Sequence, residues 1–262
     1  MRRLAVLAAS ARELAPVRAT LKAVRRGRLG SFPHEIGRAD SIEVHLLNTG
    51  IGSQAALAGA EALLSAFAVD AVVSTGYAGA LGTAGLGDVI LGTDTLDWTT
   101  EGARTSFPCD ASLRAIARET ASRARVGWCE GPVVTVAEVV CKADEKHGLA
   151  RASGAIAADM ESAAIARAAH VVGVPFLVVR AVSDGADEDL PMDFNLWLSP
   201  WGRVQGVALL LRHPSIIRSL LRMRRQVEHG SQNLARFFAA LLPLLARPWT
   251  AACPSPVALG AR

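Results

Sequence analysis

Residues 174–182, with the sequence VPFLVVRAV, constrain the fold of this chain more than any other segment. Almost every residue in this run is apolar and many are β-branched, and turn-forming residues stand on both sides of it. A strand that is apolar on both faces is typical of a parallel sheet covered by helices on both sides. Alanines recur at helical spacing just before it, which predicts a helix over residues 160–172. The pattern therefore predicts an α/β fold.

Two acidic residues flank these predicted elements. Glu161 stands in the first turn of the predicted helix, and Asp184 follows the end of the predicted strand. Each has an ordinary structural explanation, because an acid stabilises a helix N-terminus and an aspartate often caps a turn. In open α/β sheets, however, ligands bind outside the carboxyl ends of the strands. The pair therefore indicates a ligand site.

The continuous sequence DMESAAIARAAHVVGVPFLVVRAVSDGAD resembles the signature of the nucleoside phosphorylase and nucleosidase superfamily. It is most similar to the branch that holds the methylthioadenosine/S-adenosylhomocysteine nucleosidases, in which a Met-Glu pair opens a helix and a VPF-type strand ends in R-A-[IV]-S-D. The resemblance covers residues 4–186. It implies a single-domain, three-layer αβα fold with a central mixed, mostly parallel sheet, to which this chain adds a C-terminal helical extension.

The first site residue predicted near the N-terminus is Glu13. Residues 4–9 predict a strand, Ser10 a helix N-cap, and residues 11 to about 24 a helix. Glu13 stands three residues after Ser10, as in a capping box. The resemblance implies a different role, in which Glu13 takes a proton from an attacking water molecule.

The glycine-rich stretches are predicted to approach a ligand closely. Residues 42–47 and 69–74 predict strands, and each precedes glycines. Gly76, Gly79 and Gly82 recur every third residue, which differs from the G-x-G-x-x-G pattern and excludes a dinucleotide site. The resemblance places the loop that contains Ile51 against the ribose.

The resemblance implies cleavage of an N-ribosidic bond through an oxocarbenium-like transition state. Asp184 is then the general acid for the base, Glu161 binds the ribose hydroxyls, and Met160 packs on the sugar. The other candidate substrate-binding residues are Tyr77, Gly79, Ile51, Val139, Val140 and Ser183. Relatives usually carry an aromatic residue at the position of Val139 and a small residue at the position of Tyr77. A stack on the base would therefore use another face.

The nucleophile is open between water and phosphate. The phosphorylase branch has a phosphate-binding arginine where this chain has Ser74 and Thr75, which with Glu13 favours water. Arg12, Arg104 or Lys142 would be the alternative anion ligands. No cofactor and no metal are expected, and inorganic phosphate is the one candidate co-substrate. Lys146, His147 and Arg151 are predicted to lie on a polar helix and to be solvated.

The two ends of the chain are basic although the net charge is only +4. Between Arg203 and Arg247, Glu228 is the only acidic residue, and leucines and phenylalanines recur there at helical intervals. We predict an α/β domain over 1–200, a basic amphipathic helical extension over 201–246 and a disordered tail over 247–262. The extension either closes the domain, packs across an oligomer, or contacts an anionic membrane.

This extension resembles that of the hopanoid-associated branch, which removes adenine from adenosylhopane in bacterial hopanoid biosynthesis. The implied substrate is a nucleoside or a nucleoside lipid, and the implied assembly is a homodimer. Four scattered cysteines and the lack of a run of about 20 apolar residues predict a cytoplasmic protein, peripheral at the inner membrane surface if the extension binds lipid. Nucleic-acid binding is not expected, because no aromatic platform is evident. The alternatives are a soluble methylthioadenosine/S-adenosylhomocysteine nucleosidase and a non-catalytic carrier of a nucleoside lipid.

Overall fold

The computed structural model describes residues 2–98, 104–198 and 215–247. The strands are β1 Arg2–Ala8, β2 Lys22–Leu29, β3 Phe32–Ala39, β4 Ile42–Asn48, β5 Ala71–Ala80, β6 Val89–Trp98, β7 Arg104–Pro108, β8 Trp128–Thr135, β9 Ala157–Asp159 and β10 Phe176–Asp184. The α-helices are α1 Ala11–Arg18, α2 Ser53–Ala66, α3 Ala111–Ala124, α4 Ala143–Ser153, α5 Ser162–Val171 and α6 Ser215–Leu245. A 3₁₀ turn covers Phe194–Leu198.

These strands form one mixed sheet in the order β10-β6-β8-β9-β5-β1-β4-β3-β2, with β7 on β6. Because β10 pairs with β5 as well as with β6, one half of the sheet closes into a ring. The α/β class and the mixed sheet are confirmed. The described pairings divide evenly between five parallel and five antiparallel, because β2, β3 and β4 follow each other as hairpins and β7 folds back on β6.

The helices pack in two groups. Helix α2 contacts α5, whereas α6 contacts α1, α3 and β10. The C-terminal half of α6 supplies core side chains with no exposed surface, namely Leu234, Phe237, Phe238 and Leu241. This half of the helix therefore closes the domain, which was one of the explanations offered for the extension. Residues 201–214 and 248–262, which include all but the first residue of the predicted tail, lie outside the described residues.

Several predicted elements have different bounds in the structure. The helix predicted over 11–24 ends at Arg18. Lys22–Leu29 is instead an exposed edge strand paired to β3, because its sequence lacks the apolar face that a helix would bury. Charged side chains on such an edge protect it from pairing with another sheet. The strand predicted over 69–74 continues through the glycines to Ala80, because β10 and β9 supply partners for its backbone. The helix predicted from residue 160 begins at Ser162, which makes Glu161 its N-cap.

Candidate active site

A cavity of about 540 Å³ opens where β1, β5 and β10 end. Ten residues that the sequence analysis predicted as site residues line it: Glu13, Ile51, Tyr77, Gly79, Val139, Val140, Met160, Glu161, Ser183 and Asp184. They come from separate segments between α1 and the end of β10. The topology brings them together, because the parallel strands β1, β5 and β10 deliver their carboxyl ends to one edge of the sheet.

Glu161 is the most strongly perturbed carboxyl group of the cavity. It is 6% exposed, and its Oε1 accepts a hydrogen bond of 2.8 Å from the backbone N–H of Gly52. Burial raises the pKa of Glu161 to about 7, with the negative charges of Asp159 and Glu13 adding to the shift and Arg180 opposing it. At neutral pH this carboxyl group is therefore poised between its neutral and its ionised form.

We expect this shift to appear both in catalysis and in stability. The ionised form accepts hydrogen bonds from ribose hydroxyls, so kcat/KM should rise as the pH increases through about 7.

Because the pKa of Glu161 is raised on folding, the neutral form stabilises the native state by about 3 kcal/mol below pH 4.5, and this contribution is lost as the pH rises through about 7. Glu161→Gln should remove that part of the pH dependence of unfolding, measured by urea titration at several pH values. An unchanged pH profile in Glu161→Gln would contradict the assignment.

Glu13 faces the cavity from the first turn of α1. Ser10 is the N-cap, as predicted, and its hydroxyl also donates to Glu13 Oε2 over 2.8 Å. The other carboxylate oxygen, Oε1, accepts from the backbone N–H of Tyr77 over 3.3 Å. Gly76 makes this approach possible, because its φ is +145° and a side chain there would collide with both Glu13 and Arg180.

Arg180 and Asp159 form a buried ion pair at the floor of the cavity. The sequence analysis did not predict these two residues as part of the site. Arg180 Nε donates to Asp159 Oδ2 over 2.8 Å, and Nη2 donates to the hydroxyls of Ser74 and Ser162, each over 2.9 Å. Burial opposes the charge of Arg180, but Asp159, Glu161 and Glu13 outweigh it and raise its pKa. The one sequence feature that could have indicated this ion pair is Arg180 itself, the single charged residue within an otherwise apolar strand.

Asp184 is held by a lysine, and here the sequence prediction was wrong. Lys146 is only 1% exposed rather than solvated, and its Nζ lies 2.6 Å from Asp184 Oδ2. The Ser183 hydroxyl donates to Asp184 Oδ1 over 2.6 Å. Gly79 lies directly beneath, because an added Cβ would stand 3.0 Å from Asp184 Oδ2. Residues 143–153 have no strong apolar face, so only tertiary packing could reveal that Lys146 points inward.

Valine side chains, rather than an aromatic residue, occupy the wall predicted to contact the base. Val139 and Val140 line the cavity, and so does Phe194 of the 3₁₀ turn, which the sequence reading did not assign. The Asn195 side chain ties these two segments together, because it accepts from the Val139 N–H over 2.7 Å and donates to the Val139 carbonyl over 3.0 Å. Phe194 is thus the aromatic side chain that could stack on a base from this side of the cavity.

The three candidate anion ligands have different positions. Arg12 lines the cavity. Lys142 is exposed and pairs with Asp189 over 3.0 Å. The side chain of Arg104 lies outside the described part of the chain. An anion inside the cavity would therefore meet Arg12 first.

Helix α6 supplies one side of the cavity. Met223 and Val227, one helical turn apart, line it together with Leu190. Ile51 also lines the cavity and is 60% exposed. The cavity thus joins a carboxylate-lined floor to an apolar outer wall.

Comparison with known proteins agrees with this architecture. The family model of the phosphorylase superfamily matches residues 3–211. The 5′-methylthioadenosine/S-adenosylhomocysteine nucleosidase of Actinobacillus succinogenes is 33% identical over 186 residues, 65% of this chain and 80% of that protein. The enzyme of the same name from Aeromonas salmonicida is 30% identical over 216 residues, 76% of this chain and 93% of that protein.

Solved structures have the same fold at lower sequence identity. The Neisseria meningitidis 5′-methylthioadenosine/S-adenosylhomocysteine nucleosidase in complex with methylthio-immucillin-A superimposes with a TM-score of 0.74 at 23% identity, covering 92% of this chain and 99% of that one. A futalosine hydrolase mutant of Helicobacter pylori gives a TM-score of 0.73 at 20% identity, covering 93% and 99%. These likenesses confirm the predicted fold.

Proposed function

Because this chain belongs to the phosphorylase superfamily, we propose that it is a purine nucleosidase that cleaves the N-ribosidic bond of a 5′-substituted adenosine and releases adenine. The observation that carries the proposal is the convergence of Glu13, Glu161 and Asp184 on one cavity. A protein that only binds a nucleoside does not need these three carboxyl groups together. The curated relatives, both nucleosidases by name, support the same reaction class.

Each carboxyl group has a distinct task in this reaction. Breaking the bond between the sugar and the base leaves positive charge on the ribose and negative charge on the base. Asp184 serves the departing base as the general acid, and Glu161 binds the ribose hydroxyls and stabilises the positive charge. Glu13 accepts the proton of the attacking water molecule. Met160, which lines the cavity beside Glu161, packs against the sugar.

Water is the nucleophile that the described charges favour. The guanidinium group of Arg180, which approaches Gly76 from the same side as Glu13, is engaged by Asp159 and two serine hydroxyls. Phosphorolysis is the alternative, with Arg12 as the cation that would meet phosphate in the cavity.

An apolar 5′ substituent fits the outer wall of the cavity. Leu190, Met223 and Val227 present thioether and aliphatic groups there, and Ile51 extends this surface toward solvent. Burial of each methylene group on such a surface contributes about 0.8 kcal/mol. With the resemblance to the hopanoid-associated branch, this wall supports adenosylhopane as the substrate. Methylthioadenosine and S-adenosylhomocysteine, which name the relatives, are the alternative substrates.

Adenine release from 5′-alkylthioadenosines of increasing chain length tests the proposal. We expect kcat/KM to rise with chain length, because each added methylene group is removed from water, and to be independent of phosphate. Release from methylthioadenosine alone would favour the small soluble substrates. A requirement for phosphate would replace hydrolysis by phosphorolysis. Binding of every compound with no adenine release would favour a nucleoside-lipid carrier.

We also propose that the N-terminal half of α6 rests on an anionic membrane surface. Arg218, Arg222 and Arg225 are exposed and share one face of the helix, whereas Met223 and Val227 line the cavity from another face. Each arginine near an anionic lipid surface contributes about 1 kcal/mol. Within the described residues, no helix has the length and apolarity needed to cross a bilayer.

Vesicle sedimentation tests this contact. We expect the protein to bind vesicles that contain phosphatidylglycerol, to release them in high salt, and to bind phosphatidylcholine vesicles weakly. Replacing Arg218, Arg222 and Arg225 together by glutamine should abolish binding while adenine release from a short soluble substrate is retained. The matched control replaces three other exposed arginines, Arg26, Arg151 and Arg167. Equal loss in both triple variants would show general charge attraction rather than a specific surface.

A further inference from the structure

Lys146 is fully occupied although it lies at the cavity. Its ammonium group donates to Asp184 Oδ2 over 2.6 Å, to the Gly185 carbonyl over 2.8 Å and to the Glu188 carbonyl over 2.9 Å. An ammonium group has three N–H donors, so each is engaged. Lys146 therefore does not bind substrate directly, and its influence on the reaction passes through Asp184.

The environment of the Asp184 carboxylate is built by these contacts. Asp184 Oδ2 accepts a hydrogen bond from Lys146 Nζ, and Oδ1 accepts one from the Ser183 hydroxyl over 2.6 Å. These two bonds fix both oxygens above Gly79. The lysine and the aspartate are 1% and 7% exposed at their side chains. A buried ion pair persists only when its geometry is good and its remaining donors are satisfied, and both conditions hold here.

We propose that Lys146 is a positioning residue that acts on the departing base through Asp184. It fixes the carboxylate at the base end of the cavity and keeps beside it a proton that the base needs in order to leave. The inference rests on the proposed nucleosidase reaction. It predicts that Lys146 matters only for bases that must be protonated.

The protons balance in this scheme. When the bond between ribose C1′ and adenine N9 breaks, its electron pair stays with the base. Lys146 Nζ passes one proton to Asp184 Oδ2 and Asp184 passes that proton on to the base, so the aspartate is again a carboxylate and the lysine becomes neutral. The attacking water bonds to C1′ and loses one proton to Glu13. Afterwards Glu13 releases that proton to solvent and Lys146 regains one, so the net reaction consumes one water molecule.

Two substrates that differ only in their leaving group test the proposal with the full-length protein. Both carry the same 5′-alkylthio ribosyl group, and one releases adenine whereas the other releases 4-nitrophenolate, which leaves without a proton. We expect Lys146→Met to lower kcat for adenine release by about 10²–10³-fold and to change nitrophenolate release little. Glu13→Gln is the matched control, which should slow both reactions because both need activated water.

Each outcome decides a separate question. Equal loss on both substrates, or no loss in Lys146→Met, overturns the role of the lysine. If Lys146→Met fails to fold, Lys146→Ala with added ethylammonium replaces it, and restored adenine release supports the role whereas a lack of rescue overturns it. A wild-type enzyme that cleaves neither substrate overturns the proposed function itself.

Discussion

Asp184→Asn should lower kcat for adenine release by about 10²–10⁴-fold, the contribution expected of one positioned general acid. Asparagine has nearly the same shape as aspartate but cannot hold a transferable proton. KM should change less than kcat, because the other cavity residues still bind the ribose and the 5′ substituent. Steady-state assays of the purified variant measure both constants. Full turnover by Asp184→Asn would reject the acid assignment.

The same substitution should also destabilise the protein. It leaves the ammonium group of Lys146 buried without its counter-ion, and breaking one half of a buried pair costs about 3–5 kcal/mol. The double variant Asp184→Asn/Lys146→Met removes both charges and should regain most of the lost stability while adenine release stays low. Urea unfolding of the single and double variants separates the two effects. A double variant that regains activity would show that Asp184→Asn acts only through misfolding.

Arg180→Met should be strongly destabilising, by about 3–5 kcal/mol. It removes a fully buried guanidinium group and leaves Asp159 as an unpaired buried charge beside two serine hydroxyls without their donor. This loss is a large fraction of the total stability of a typical domain, which is about 5–15 kcal/mol. The expected result is a strongly lowered midpoint of urea unfolding.

Arg180→Lys provides the control for charge. Lysine keeps the positive charge near Asp159 but lacks the planar fork that reaches Ser74 and Ser162 together. We therefore expect a loss of stability smaller than that of Arg180→Met. Equal unfolding midpoints for the wild type and Arg180→Met would contradict the role of the ion pair as a support for the cavity floor.

The strand β10, with Asp184 at its end, and the acidic residue Glu161 at the start of the preceding helix could be predicted from sequence alone. An apolar run bounded by turn residues specifies a buried strand through local pattern, and the parallel arrangement carries its C-terminal end to the ligand edge of the sheet. The helix predicted over 160–172, which the structure places at Ser162–Val171, and the N-cap at Ser10 follow from equally local signals. The family resemblance extended this reading to the fold class, which the comparisons confirm.

Tertiary structure alone decided the partners of these groups. The inward direction of Lys146, the ion pair beneath Glu13, and the edge strand after α1 all depend on contacts between residues distant in sequence. Periodicity reports which face of an element is apolar, but it does not report which polar side chain finds a buried partner. The free energy that holds Lys146 inside comes from an aspartate 38 positions later and from two carbonyl groups beyond it, and only the folded chain brings them within hydrogen-bonding distance.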